Sequence, residues 1–185
     1  MVINFHGWSQ EKAATCENVF AIVERDVKPV RLKVTHSKNA RERWWEYERR
    51  RPELYEAIAE LDQVIVIARV SKTVLPVRIP TGQVTSEQII AFPTNSAGQL
   101  ALLSSSMHYW WALRYSGDMR GDLRYAPSDA YETFPRPRDT DRLGAAGASL
   151  EKAQRDAMTS RAIGLTKLYN LVHAEAEQAA DIGAR

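Results

Sequence analysis

A lone cysteine, Cys16, is all the thiol this 185-residue chain carries. One thiol can build neither an internal disulfide framework nor a cysteine-based zinc site. Cys16 falls on an amphipathic stretch with no histidine near it, which reads as core and not as nucleophile. No apolar run reaches the roughly 18 residues that a membrane-spanning helix needs. Residues Met1 to Gly7 lack the charged-then-apolar plan of a signal peptide. Together these readings make the cytoplasm the expected location. Glycine-rich phosphate loops are missing too: there is no G-x-G-x-x-G after a strand and no Walker A sequence. The histidines His6, His36, His108 and His173 stand apart, with no H-E-x-x-H spacing and no metal set. Nothing in the chain supports a self-sufficient enzyme.

What is present is a globular composition, 44% hydrophobic and 26% charged, in a chain long enough to bury a core. The net charge of +2 is too small to argue for a partner, but its distribution is uneven. Between Arg25 and Arg51 there are ten Lys or Arg against four Asp or Glu, whereas Leu150 to Arg185 holds five of each. A basic first third can neutralise phosphates, or it can be a solvated helix face.

Hydrophobic spacing then sketches the architecture. Ser9 caps an expected helix through Arg25, a charged stretch at 38–49 carries Trp44 and Trp45, and Pro52 opens another helix with Leu54, Ile58 and Leu61 at helical spacing. The β-branched run Gln63 to Val70 is a strand, as are Val74 to Ile79, where Pro76 argues for an edge or a bulge, and Gln88 to Phe92. Ser96 to Tyr115 is expected as one helix, burying Leu100, Leu103, Met107, Trp110 and Trp111. Leu123 to Tyr125 is strand-like. The small-residue run Leu143 to Ser149 reads as a flexible linker, and Ser149 as the cap of a long helix reaching about Ala180, with Gly164 able to break it. The expected fold class is α+β: a mostly antiparallel sheet flanked by helices, with a C-terminal helical tail. The expected division is a basic helical lead-in at 1–62, a core at 63–138, a linker at 139–148 and a helical segment at 149–185.

Several strings, in order, resemble the target recognition region and following helical segment of MmeI-like type IIL restriction–modification enzymes and related adenine-specific DNA methyltransferases of phage-defence systems. They are Val27-Lys28-Pro29-Val30-Arg31, Trp44-Trp45 with Arg51-Pro52-Glu53-Leu54, and Val64-Ile65-Val66 followed by Val70-Ser71-Lys72. Next come Leu103-Ser104-Ser105 with His108 and Trp111, the run Gly117 to Tyr125, and Thr133-Phe134-Pro135. The last is Gly164 to Leu171. The chain departs from the family at Thr73, Ser106 and Arg136, where family members often carry other residues. The resemblance implies double-stranded DNA as partner, read in the major groove, and a parent polypeptide whose methyltransferase domain uses S-adenosylmethionine. This chain itself is expected to hold no cofactor and to have no activity alone. The Asn-Pro-Pro-Tyr tetrapeptide that grips a target base is absent. Met1 falls where a family member would already have passed its catalytic domain, so the chain is expected to be a piece of that longer plan.

If Arg120 to Arg124 is extended, Arg120, Asp122 and Arg124 share one face and Gly121 and Leu123 the other. Arginine donates twice to guanine O6 and N7, and aspartate accepts from the cytosine amino group. Arg120 and Asp122 are therefore the expected base readers, since the resembled family sets a recognised base with a charged pair at this spacing. The alternative for the pair is a local surface ion pair. Arg69, Lys72, Arg78 and Arg124 are candidate phosphate contacts, Ser71 a hydroxyl contact, and Tyr125 and Lys167 further groove contacts. Lys167 lies beside the apolar stripe Leu165, Leu168 and Leu171, which suits docking of the tail. His108 reads as a satisfied structural histidine, and the tryptophan doublets as core more than as base stackers. Two other functions compete: a protein-interaction or inhibitory module that binds the parent methyltransferase, and a small enzyme built on Asp122, His108 or Glu132.

Overall fold

The computed structural model of the protein describes residues 2–5, 7–138 and 140–172. His6, His173 and the expected run of the tail to Ala180 lie outside them. The chain divides into two compact units, one of residues 1–57 with 82–84, the other of residues 58–81 with 85–185.

The first unit is helical. Its helices are α1 (Gln10–Ala14), α2 (Glu17–Asp26), α3 (Lys28–Leu32), α4 (Lys38–Glu42) and α5 (Pro52–Ala57). Ser9 caps α1 by accepting from the Lys12 amide at 3.2 Å. The expected single helix breaks at Thr15 and Cys16, where Thr15 Oγ1 bonds back to the Lys12 carbonyl at 2.7 Å, a local alternative to the helical ladder. An aromatic core holds the unit together. Phe20 lies 5.4 Å from Trp44, which meets Trp45 edge-on at 5.8 Å. Trp44 is 5% exposed, as its place in a doublet suggested.

The second unit holds two antiparallel three-stranded sheets. The first, ordered β3-β1-β4, pairs β1 (Gln63–Ala68) with β3 (Val77–Pro80) and β4 (Ile89–Phe92). Four consecutive buried residues, Val64 to Ile67, mark β1 as the covered central strand, and Ile65 pairs with Arg78 on one side and Phe92 on the other. Pro76 stands just before edge strand β3, where its missing N–H costs no ladder bond. The second sheet, ordered β2-β6-β5, joins β2 (Val70–Ser71) to the hairpin of β5 (Gly117–Met119) and β6 (Asp122–Arg124). Arg69 is the joint between the sheets: its amide donates to the Gln88 carbonyl at 2.7 Å and its carbonyl accepts from the Tyr125 amide at 2.8 Å.

Helices cover this core. The stretch expected as one helix is two, α6 (Ala97–Leu103) and α7 (Ser106–Tyr115), because Ser105 caps α7 through the His108 amide at 3.2 Å. Leu100 and Leu103 are buried as expected, but Met107 and Trp110 are not: they stand 72% and 67% exposed on the outer face of α7. The break after Leu103 rotates the later residues off the earlier stripe. After α8 (Pro127–Ala130), the run read as a linker is helical, since α9 spans Asp141–Ser160 and is capped by Thr140, not Ser149. Its small residues serve close packing. A Cβ built on Gly147 would lie 1.8 Å from the Ala97 carbonyl oxygen, so α6 and α9 approach backbone to backbone. α9 ends in a Schellman motif. Ala162 takes φ 49°, and the Ile163 amide reaches the Met158 carbonyl at 3.0 Å. Then α10 (Leu165–Val172) lays Leu168 on Ala157. The fold is α+β with small antiparallel sheets, flanking helices and a C-terminal helical segment.

Candidate nucleic-acid interface

The β5–β6 hairpin gathers the expected base readers, in a geometry the sequence did not give. Arg120 and Gly121 form the two-residue turn, both left-handed, at φ 59° and 85°. Those angles make a type I′ turn, whose twist matches the flanking strands. Gly121 suits it, whereas Arg120 occupies a conformation that few residues with a Cβ adopt. Asp118 steadies the turn: its Oδ1 accepts from the Gly121 amide at 3.3 Å. Asp118 is a contributor that sequence reading missed, though an Asp before a tight turn is a signal for this bond.

The extended alternation therefore starts at Asp122 and not at Arg120, which corrects the shared-face premise. Leu123 is buried against the core of the unit, so Asp122 and Arg124 point to the opposite, outer face. Cross-strand register sets Met119 beside Asp122, and Val70 and Gly117 beside Arg124. Arg120 projects from the apex and is exposed. Lys72 is exposed just beyond β2, the neighbour of β6. The hairpin thus carries two exposed guanidiniums and a half-buried carboxylate within five residues.

Two expected contacts fall away. Tyr125 is 2% exposed, and its hydroxyl donates to His108 Nε2 at 2.9 Å, so it is part of the core and not of a groove-facing surface. Burial pushes the phenol further up from its usual range. His108 is fully buried, with Nδ1–H donating to the Leu103 carbonyl at 2.8 Å. Desolvation holds the imidazole below its ordinary pKa and hence neutral. Arg78 is likewise structural. It grips the Glu151 carboxylate of α9 with two nitrogens, Nε at 3.0 Å, and donates to the Asn95 carbonyl at 2.9 Å. That fork raises the guanidinium pKa and lowers that of Glu151.

The remaining candidates stay near a surface. Arg69 donates from Nε to the Glu87 carbonyl at 2.8 Å. Ser71 Oγ accepts from the Thr73 amide at 3.4 Å and shares the row of Leu123. Lys167 is exposed on α10, whose Leu168 packs on α9. Among the described residues no group of three His, Cys, Asp or Glu could hold a metal ion, and no helix is long and apolar enough to cross a membrane.

Comparison with known proteins places this geometry. The family model described as the MmeI target recognition domain matches residues 5–138, well over half of the chain. The chain belongs to that family. No curated protein matches it in sequence. Its fold is similar to a solved structure of the type IIL restriction–modification enzyme MmeI in complex with DNA, with a TM-score of 0.66 at 16% identity. The match covers 97% of this chain and 23% of that one. In this MmeI-type domain the matched span ends at Arg138, so α9 and α10 follow the family region.

Proposed function

We propose that this chain is the sequence-reading module of a restriction–modification or phage-defence DNA methyltransferase. It binds double-stranded DNA with the β5–β6 hairpin turned to base edges in the major groove and performs no chemistry itself. One observation carries the reading: a target recognition domain presents an exposed guanidinium, Arg120, at a tight turn, followed by the carboxylate of Asp122 on the outer strand face. A guanidinium can take guanine O6 and N7 while a carboxylate takes the cytosine amino group, so the two can read one G·C pair. Methyl transfer from S-adenosylmethionine to adenine belongs to the parent methyltransferase domain. Lys72 and Arg124, and with them Arg69 and Lys167, supply backbone contacts, whereas Ser71 shares the core-facing row of Leu123.

The test is a graft. The hairpin is placed in an active relative, with and without Arg120 and Asp122 exchanged together for another charged pair, and the methylated sites are sequenced. The exchange should change the base accepted at one position, by roughly 1–3 kcal/mol of discrimination. An unchanged site removes these residues as readers.

A second reading is a protein-interaction or inhibitory module that binds the parent methyltransferase. The apolar outer face of α7, with Met107 and Trp110, favours it. Binding to the methyltransferase polypeptide with no measurable affinity for duplex DNA at low salt would select this alternative.

A further inference from the structure

The hairpin is short, and its outer residues have little packing of their own. Gly117, Asp118, Met119, Arg120 and Gly121 are all exposed. Something else must fix where the reading side chains stand. At the apex the Asp118 side chain accepts from the Gly121 amide, next to the Met119–Asp122 pair. At the base the attachments converge on one residue. The Tyr125 amide donates to the Arg69 carbonyl at 2.8 Å, extending the pairing of β6 with β2. The next amide, of Ala126, donates to Ser116 Oγ at 3.2 Å and closes the hairpin where α7 ends. The Tyr125 ring lies between Phe92, edge-on at 6.2 Å, and His108 at 5.7 Å. Its hydroxyl then donates to His108 Nε2 at 2.9 Å, while His108 Nδ1–H donates to the Leu103 carbonyl at 2.8 Å. Both groups are buried, so no water competes for either bond.

From this chain of bonds we infer that His108 and Tyr125 are positioning residues for the reader strand: their buried hydrogen bond anchors the base of the hairpin, one residue after Arg124, to α7 and through it to the end of α6. The inference rests on the hairpin being the DNA-reading element. The geometry supports it through sequence distance. Tyr125 directly follows Arg124 and lies three residues after Asp122, so a displacement at Tyr125 passes to both with almost no chain in between. A reader must be held to within about half an ångström of its productive geometry, which a hairpin this exposed does not achieve by itself.

The test uses the full chain and three variants. Tyr125→Phe keeps the ring and removes the hydroxyl. His108→Gln keeps a carbonyl oxygen able to accept from Tyr125. His108→Leu removes both bonds. Amide hydrogen exchange is read on residues 117–126 and, as internal reference, on β1. Tyr125→Phe and His108→Leu should speed exchange of the Tyr125 and Ala126 amides by about tenfold relative to β1, about one hydrogen bond's worth, with His108→Gln recovering most of the protection. In parallel, selection from a random duplex library should enrich a motif with wild type. Tyr125→Phe should lose that enrichment while retaining its affinity for random duplex. Exchange that rises equally in β1 and the hairpin, or not at all, overturns the positioning role. So does a Tyr125→Phe variant that enriches the same motif as wild type. Wild type that enriches no motif overturns the DNA reading, and with it this role.

Discussion

His108 illustrates how burial decides the role of a titratable group. An imidazole inside a cleft with an orienting carboxylate would suggest catalysis, but here its two nitrogens meet a backbone carbonyl and a phenol, with aromatic rings of Tyr125 and Phe134 around it. Desolvation lowers its pKa, so the unfolded chain takes up a proton near 6.5 that the folded chain refuses. The folded state is therefore favoured above that value and loses stability as pH falls from it toward the depressed folded value. Glu151 acts in the same direction at lower pH. Its carboxyl is held below 4.5 chiefly by the bonds from Arg78, so its contribution is present above 4.5 and fades below. Chemical denaturation of wild type between pH 8 and 3 should show two successive declines, each no steeper than about 1.4 kcal/mol per pH unit for one proton. His108→Gln should remove the first and Glu151→Gln should shrink the second, which Glu11 and Asp26, also held below their ordinary values, share; a profile that keeps its shape in both variants would refute the assignment. The satisfied, structural character of His108 was legible because an isolated histidine on an apolar helix has few other options. That of Tyr125 and Arg78 was not. A phenol and a guanidinium next to strands look alike in sequence whether they face a groove or a neighbouring helix.

Elements were legible where periodicity was strong and illegible where small residues were ambiguous. The run from Val64 to Ile67 announced a covered strand, and Pro76 announced an edge, because both follow from ladder hydrogen bonding alone. Leu143 to Ser149 misled, because glycine and alanine serve a flexible connector and a close helix crossing equally well. The crossing is decided by Ala97, some fifty residues earlier in the chain, which no local window contains. That contact yields a sharp expectation. In Gly147→Ala the new methyl would need the α6 backbone to retreat by more than an ångström, so the cost should be roughly 1–3 kcal/mol or more, despite alanine's better helix propensity. Gly144→Ala, with nothing near its Cβ, should be neutral or stabilising by up to about 1 kcal/mol. Thermal or urea unfolding of the two variants compares them directly, and equal stabilities would mean that α6 and α9 are not in backbone contact. The β5–β6 hairpin shows the same limit. The alternation of residues 122–124 was readable, but a left-handed Arg120 was not, since arginine gives no hint of a type I′ turn.

On the scale of the whole chain, the uneven charge has a different meaning once partners are assigned. The basic stretch from Arg25 to Arg51 suggested a surface for phosphates. Six of its ten cations are engaged by carboxylates: Arg25 by Asp26, Lys28 by Glu24, Arg31 by Glu48, Lys38 by Glu42, and Arg43 and Arg50 by the buried Glu46. A duplex meets little net field there, since each pair is close to neutral at a distance beyond the Debye length. Arg120, Arg124 and Lys72 differ, having no carboxylate within ion-pair distance among the described residues, and they cluster on one small sheet and its exit. Phosphate contacts from Lys72 and Arg124, with Arg69 and Lys167, release about four counterions. The logarithm of affinity should then fall against the logarithm of salt with a slope of roughly −3.6. Lys72→Ala with Arg124→Ala should flatten that slope by about two, while Lys33→Ala with Arg49→Ala in the first unit should leave it unchanged. Fluorescence anisotropy on a mixed-sequence duplex from 50 to about 300 mM salt measures all three proteins in the same range. If the second double variant flattened the slope and the first did not, the phosphate footprint would belong to the helical unit. The hairpin would then be left without the electrostatic contact that a base reader needs to be held against the groove.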